Sequence, residues 1–328
     1  MDENTMFQGK HVLITGGAGF LGSFLSEEML NRGAKVTIYD RLSHGRKRIQ
    51  HILGHPSLEL VRADLMDMQR LKETVREKDF IWHLAGNTDI PAGIENTRLD
   101  LNDGVMATWN LLDVMRETRV RKVAFASSGA IYGERTSGQR SEKMGPTLPI
   151  SLYGAGKIAC EAFMSAYAHL FGMQAWMFRF GNVISGRITH GAILDFIKKL
   201  KTNPHQLEVL GNGTQTKSYL LAEDCIDGML YVIGHTRLQE GEGVCDVFNL
   251  GAPDETNVLD IAKIVIEEMS LPDCKIKLRG GERGWKGDQA KIALDIGKIR
   301  SMGWEPKHSS DEAVRIAIRR MLKENMMG

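Results

Sequence analysis

The 328-residue chain carries 42 Lys+Arg against 41 Asp+Glu, a net charge of +1, with 25% charged and 42% apolar residues. This is an ordinary globular composition. It excludes a disordered or fibrous chain, gives no cationic excess for a nucleic-acid surface, and holds no apolar run of about 18 residues to span a membrane. The acidic start, Met1-Asp2-Glu3-Asn4, is unlike a secretory leader, and Cys160, Cys225, Cys245 and Cys274 are scattered with no C-x-x-C; a cytoplasmic protein with reduced thiols and no metal site is expected.

His11–Thr15 reads as a short apolar strand, followed by glycines and an amphipathic stretch, Phe20–Asn31. Lys35–Asp40 (KVTIYD) is a β-branched strand ended by an acid, and Leu58–Ala63, Phe80–Leu84, Val123–Ser127 and Trp176–Phe180 repeat the theme. Near-continuous apolar strands separated by helical patterns predict an α/β fold, a doubly wound parallel sheet of the Rossmann kind. After Phe180 the regularity fades into Gly- and Asn-rich stretches, and a strand-plus-helix unit returns at Val247–Met269 with Thr256 or Asn257 as N-cap. A last helix is predicted over about Asp311–Lys323, with acids early and bases late, as the helix dipole favours. The expected organisation is a dinucleotide-binding domain over residues 1–180, with 218–262 returning to it. A smaller, interleaved α/β substrate domain takes 181–328.

Thr15-Gly16-Gly17-Ala18-Gly19-Phe20-Leu21-Gly22 joins the first strand to the first helix with G-x-x-G-x-x-G spacing. Gly16 permits the turn, Gly19 admits a pyrophosphate close to the backbone, and Gly22 lets the helix pack on the strand. The helix start at Phe20 and Leu21 offers free N–H groups to phosphates. Asp40 ends the second strand where a carboxylate holds a ribose 2′-OH, which predicts NAD over NADP. Arg41, Arg46, Lys47 and Arg48 lie close enough in sequence to soften that preference. Asp64, at the third strand end, is placed at the adenine edge, with a plain surface carboxylate as the alternative. Leu84-Ala85-Gly86 closes the fourth strand along the cofactor, and His83 reads as a packed histidine rather than a catalyst.

Tyr153 and Lys157 are i,i+4 neighbours in YGAGK and share one helix face. A phenol is a poor base at neutral pH unless a positive charge stands beside it, so the pairing points to proton transfer. Ser127-Ser128 ends the preceding strand at the carboxyl edge of the sheet, where a hydroxyl can hold a substrate alcohol.

TGGAGFLG, HLAG, SSGAIYG, YGAGK, RFGNV and GWKGD, in this order, resemble the extended short-chain dehydrogenase/reductase family, from about residue 9 to 306. Within it the chain is similar to nucleotide-sugar epimerases and dehydratases of the UDP-galactose 4-epimerase kind. The resemblance implies Ser128, Tyr153 and Lys157 as catalytic residues. It implies Gly16, Gly19, Phe20, Leu21, Gly22, Asp40, Asp64, Leu65, Leu84, Ala85 and Gly86 around NAD, with Tyr153 and Lys157 touching it as well. It places Asn87, Ser128, Asn182, Arg187, Lys217, Tyr219, Arg283 and Asp288 at a UDP-hexose, and implies a homodimer built on the helices around Val105–Met115 and Ile158–Leu170. The related 4,6-dehydratases carry Asp-Glu directly after the catalytic hydroxyl residue, and the decarboxylases a Glu nearby; here those positions are Gly129 and Ala130. That favours C4 epimerisation through a 4-keto sugar over elimination. A nucleotide-sugar oxidoreductase with net redox change and a silent NAD(H) sensor are the alternatives. The substrate half departs from the family pattern. Arg187 suits a phosphate, a sugar carboxylate or a surface loop equally, Lys217 stands where an Arg is usual, and Trp285 replaces another Arg, leaving Arg283 or Lys286 for the diphosphate.

Overall fold

The computed structural model describes residues 5–134, 138–188, 191–236, 238, 245–281 and 291–326. The chain divides into two compact units: 1–133, 145–179 and 229–248 form the first, and 134–144, 180–228 and 249–328 the second.

The first unit holds a seven-stranded parallel sheet. Its strands are β1 (His11–Thr15), β2 (Lys35–Asp40), β3 (Leu58–Arg62), β4 (Phe80–His83), β5 (Lys122–Ser128), β6 (Gln174–Phe180) and β7 (Cys245–Leu250). They lie in the order β7-β6-β5-β4-β1-β2-β3. Ile14 pairs with Ile38 of β2 and with Trp82 of β4, so β1 sits in the middle, and Val12, Leu13 and Ile14 are fully buried. Such apolar runs suit a sheet covered on both faces, because no strand face meets water. Helices α1 (Phe20–Asn31), α2 (Met68–Val75), α3 (Ala107–Thr118) and α4 (Leu152–Phe171) supply the cover. Leu111, Leu112, Val114 and Met115 of α3 and Cys160, Met164 and Ala168 of α4 join Leu13, Ile81, Val123 and Phe125 in one core. The doubly wound sheet read from the sequence is therefore present. Unforeseen is a π-helical turn, Leu101–Met106, that runs into α3; such turns often mark functional sites.

In the second unit Asn182–Ile184 pairs in parallel with Tyr219–Leu221, and Gln206–Val209 with Lys275–Leu278. Thr216–Lys217 pairs with Thr256–Asn257 and Lys291–Ile292. The helix Val258–Glu268 is capped by Asn257, whose Oδ1 accepts from Leu259 N at 2.8 Å. Thr256 instead turns inward and donates to Asp311 Oδ1 at 2.6 Å, which settles which of the two is the N-cap. The last helix runs Ser310–Met326, longer at both ends than its charge pattern suggested.

Candidate active site

The glycine loop connects β1 to α1. Gly16 has φ +69°, and a Cβ there would lie 2.7 Å from Ala85 N, so the loop approaches the segment after β4 as only glycine allows. A Cβ on Gly19 would meet little besides Gly16 O at 3.0 Å. Gly19 also caps α1 without any side-chain hydrogen bond, which leaves the first-turn amides near Phe20, Leu21 and Gly22 to an outside acceptor. Asp40 is bound to the loop, accepting from Ala18 N at 3.1 Å and Leu42 N at 2.7 Å. Asp64 Oδ1 accepts from Met66 N at 2.9 Å, and Leu65 is buried in the core. Leu84 N and Ala85 N donate to Thr15 O and Oγ1 at 3.1 and 3.3 Å, fixing the segment that ends at the exposed Gly86.

His83 is fully buried. Its ring meets Thr15 Oγ1 at 2.7 Å (Nδ1) and Thr108 Oγ1 at 2.9 Å (Nε2). Thr108 spends its proton on Gly104 O at 2.7 Å, so Nε2–H donates to Thr108 and Nδ1 accepts from Thr15. Burial, aided by the Lys157 charge, pushes the His83 pKa down to about 3. It is a neutral pin between β1, β4 and α3.

Ser128 ends β5 and caps a 3-10 turn, Gly129–Tyr132, its Oγ accepting from Ala130 N at 3.1 Å. Tyr153 lies in the first turn of α4, which is capped by Ser151. A Cβ on Gly154 would lie 2.8 Å from Ala130 O, so α4 begins close against the Ser128 turn. Lys157 is buried, donates to Ala126 O at 2.7 Å, and holds its ammonium 5.6 Å from the Tyr153 ring centre. One turn further, Glu161 accepts from Ser127 Oγ at 2.5 Å and forms a bidentate pair with Arg179 of β6. Arg179 Nη1 donates to Tyr132 OH at 2.9 Å. The strand end, the turn and the helix that carry Ser128, Tyr153 and Lys157 are thus tied together by one buried network. Its members Glu161, Arg179 and Tyr132 escape motif reading, although Glu161 follows Lys157 at the same helical spacing.

A small cavity beside Tyr153 and Lys157 is lined also by Gly86, Asn87 and Asp100. Asn87 is fully engaged: its Nδ2 donates to Asp89 O and Asp100 Oδ1, both at 2.9 Å, and its Oδ1 accepts from Asp89 N. Asp100 is 4% exposed, and its Oδ2 has no partner among the described residues. No motif pointed to Asp100.

Asn182, Arg187, Lys217 and Tyr219 belong to the second unit. Asn182 Nδ2 donates to Ser218 O at 3.3 Å, Arg187 and Lys217 are half-buried, and Tyr219 lies within the second unit's apolar core. Arg283 and Asp288, with Trp285 and Lys286, lie outside the described residues.

The NAD dependent epimerase/dehydratase family model matches residues 12–251. The chain belongs to that family. A UDP-galactose 4-epimerase of known structure is 35% identical with a TM-score of 0.84, covering 96% of this chain and 99% of that one. A UDP-glucose 4-epimerase from Thermus thermophilus, solved with NAD, is 27% identical with a TM-score of 0.81, covering 95% and 99%. The UDP-glucuronic acid decarboxylase 4 of Arabidopsis thaliana is 31% identical over 304 residues, which cover 90% of this chain and 65% of that longer protein. This family member is an NAD-dependent enzyme of the nucleotide-sugar epimerase/dehydratase type. The open Gly19 position, the uncapped start of α1 and the anchored Asp40 fit that dinucleotide.

Proposed function

We propose that the enzyme inverts C4 of a UDP-hexose, of the glucose/galactose or glucuronate kind, through a transient 4-keto sugar. The observation that carries this reading is the Ser128 turn. Its residues are Gly129, Ala130, Ile131 and Tyr132, so no carboxyl group stands within the turn, directly after the hydroxyl, where an elimination would use one. Glu161, the carboxylate closest behind it in the network, is paired with Arg179 and buried.

The glycine loop, Asp40, Asp64 and the Leu84–Gly86 segment would hold the dinucleotide. When bound, it supplies a reversible two-electron acceptor. Ser128 holds the sugar hydroxyl, and Tyr153 takes its proton with the Lys157 ammonium beside it; the C4 hydrogen leaves with both bonding electrons, and C4 becomes a ketone. Once the keto-sugar has turned its other face, the hydrogen with both its electrons would return to C4 while Tyr153 returns a proton to the oxygen, and the stereocentre is inverted. Asn182, Arg187, Lys217 and Tyr219, with Arg283 and Asp288, are assigned to the nucleotide sugar, Asn182 to its diphosphate. A homodimer through the faces of α3 and α4 completes the proposal, supported by Trp109, Leu170 and Phe171, which leave apolar surface exposed there. Incubating the purified enzyme with UDP-glucose or UDP-glucuronate and reading C4 configuration by NMR tests the reaction. Loss of water or CO₂ instead would refute it.

A further inference from the structure

Arg41 leaves β2 directly after Asp40. Its guanidinium makes a forked contact with Asp103, Nη1 to Oδ1 at 3.1 Å and Nη2 to Oδ2 at 2.7 Å, and Nη1 lies 3.6 Å from Asp64 Oδ2. Asp103 sits in the π-helical turn Leu101–Met106, in the connection that follows β4. The sheet order there is β4-β1-β2. A side-chain bridge from the end of β2 to the connection after β4 therefore crosses the carboxyl end of β1, where the glycine loop begins. In a doubly wound sheet this crevice, at the point where strand order reverses, is where a dinucleotide lies.

Arg41 is consequently not available to soften the charge of Asp40. Its own charge is met by two carboxylates, and the planar fork fixes the contact geometrically. Asp103 is only 19% exposed at its side chain while Arg41 is 47% exposed, so the acid forms the fixed post and the arginine the movable bar. Arg41 follows β2, and opening needs no change in the strand: its long side chain swings free once the fork breaks.

We propose that the Arg41–Asp103 pair is a clasp that bars the cofactor crevice behind bound NAD and slows exchange of the dinucleotide. The inference rests on the cofactor site and deepens the epimerase reading, because an enzyme that returns its electrons to the same sugar has no need to exchange cofactor within the cycle. It stands apart from that reading in its test, which uses no sugar.

The test follows uptake of isotopically labelled NAD⁺ by the purified full-length enzyme, with bound dinucleotide per chain counted after denaturation. Asp103→Asn and Arg41→Gln are each expected to speed exchange about fivefold, the size a well-formed ion pair half open to solvent supports. The double variant should exchange no faster than either single variant, since both remove one contact. Wild-type exchange in Asp103→Asn would overturn the clasp. So would faster exchange in Arg41→Gln alone, which would mean that Arg41 touches the dinucleotide without Asp103. Asp103→Glu, which keeps the charge, should stay close to the wild-type rate and guards against a folding artefact.

Discussion

In the proposed reaction Tyr153 carries the acid–base chemistry, while Lys157, bound to Ala126 O, supplies the neighbouring positive charge. Tyr153→Phe removes one hydroxyl and no packing volume, so turnover should fall about a hundredfold or more while bound NAD per chain stays at the wild-type level. Steady-state rates and dinucleotide content measured on one preparation check both halves. His83 gives a pH prediction. Its pKa is about 3 in the folded protein against about 6.5 unfolded, so the unfolded chain binds the extra proton between those values. Its contribution to stability is complete above pH 6.5 and lost as pH falls towards 3, at about 1.4 kcal/mol per pH unit within the window. Urea unfolding at pH 7 and pH 5 should show a steeper loss for the wild type than for His83→Gln. At this scale the sequence was legible where chemistry follows chain spacing. Tyr153 and Lys157 are one helical turn apart, and Ser128 ends a strand. Asp100 and Asp103 were not legible: the partners that give them meaning, Asn87 and Arg41, are 13 and 62 residues away, and only the fold brings them into reach. The amide of Asn87, read as facing the hexose, donates to Asp89 O and Asp100 Oδ1.

Helix α4 is the element on which the site depends. Tyr153, Lys157 and Glu161 share one stripe of it, and the stripe is stitched to β5 through Ala126 and Ser127 and to β6 through Arg179. Removing one partner of a buried pair leaves the other charge desolvated, so Glu161→Ala should cost about 3–5 kcal/mol in chemical unfolding. Replacing Glu161 and Arg179 together with Leu and Met should cost much less, and equal losses for the single and double variants would contradict a buried, coupled pair. The central strands were readable because β1, β2, β4, β5 and β6 are mostly apolar, buried runs bounded by turn residues. The turn Leu101–Met106 was not, since Leu-Asn-Asp-Gly-Val-Met carries no signal that separates a π-helical turn from an ordinary helix start.

Across the molecule, the first unit is the part whose sequence pattern and architecture correspond most directly, because an α/β repeat writes its period into the chain. The second unit is built from strands of two to four residues and lacks such a period. Residues 134–144 join that unit rather than the one that precedes them: Arg140 N donates to Ala293 O and Asp295 N to Arg140 O, both at 3.0 Å. No helix among the described residues is long and apolar enough to cross a membrane. The apolar surface on α3 and α4 belongs instead to the proposed dimer, and Leu170, 73% exposed, is its most open side chain. Leu170→Glu should shift the enzyme towards monomer in sedimentation equilibrium; an unchanged mass would remove this face from the interface.

In the proposed reaction a hydrogen and its electron pair leave C4 of a UDP-hexose and return to its other face within one enzyme. NMR of the enzyme as purified, mixed with UDP-glucose, UDP-glucuronate and their N-acetylated counterparts and no added NAD, tests it most directly. A C4-inverted sugar should approach equilibrium from either epimer, with no net oxidation. A product lacking CO₂ or water, or a 4-keto sugar that accumulates in proportion to added NAD, would contradict it.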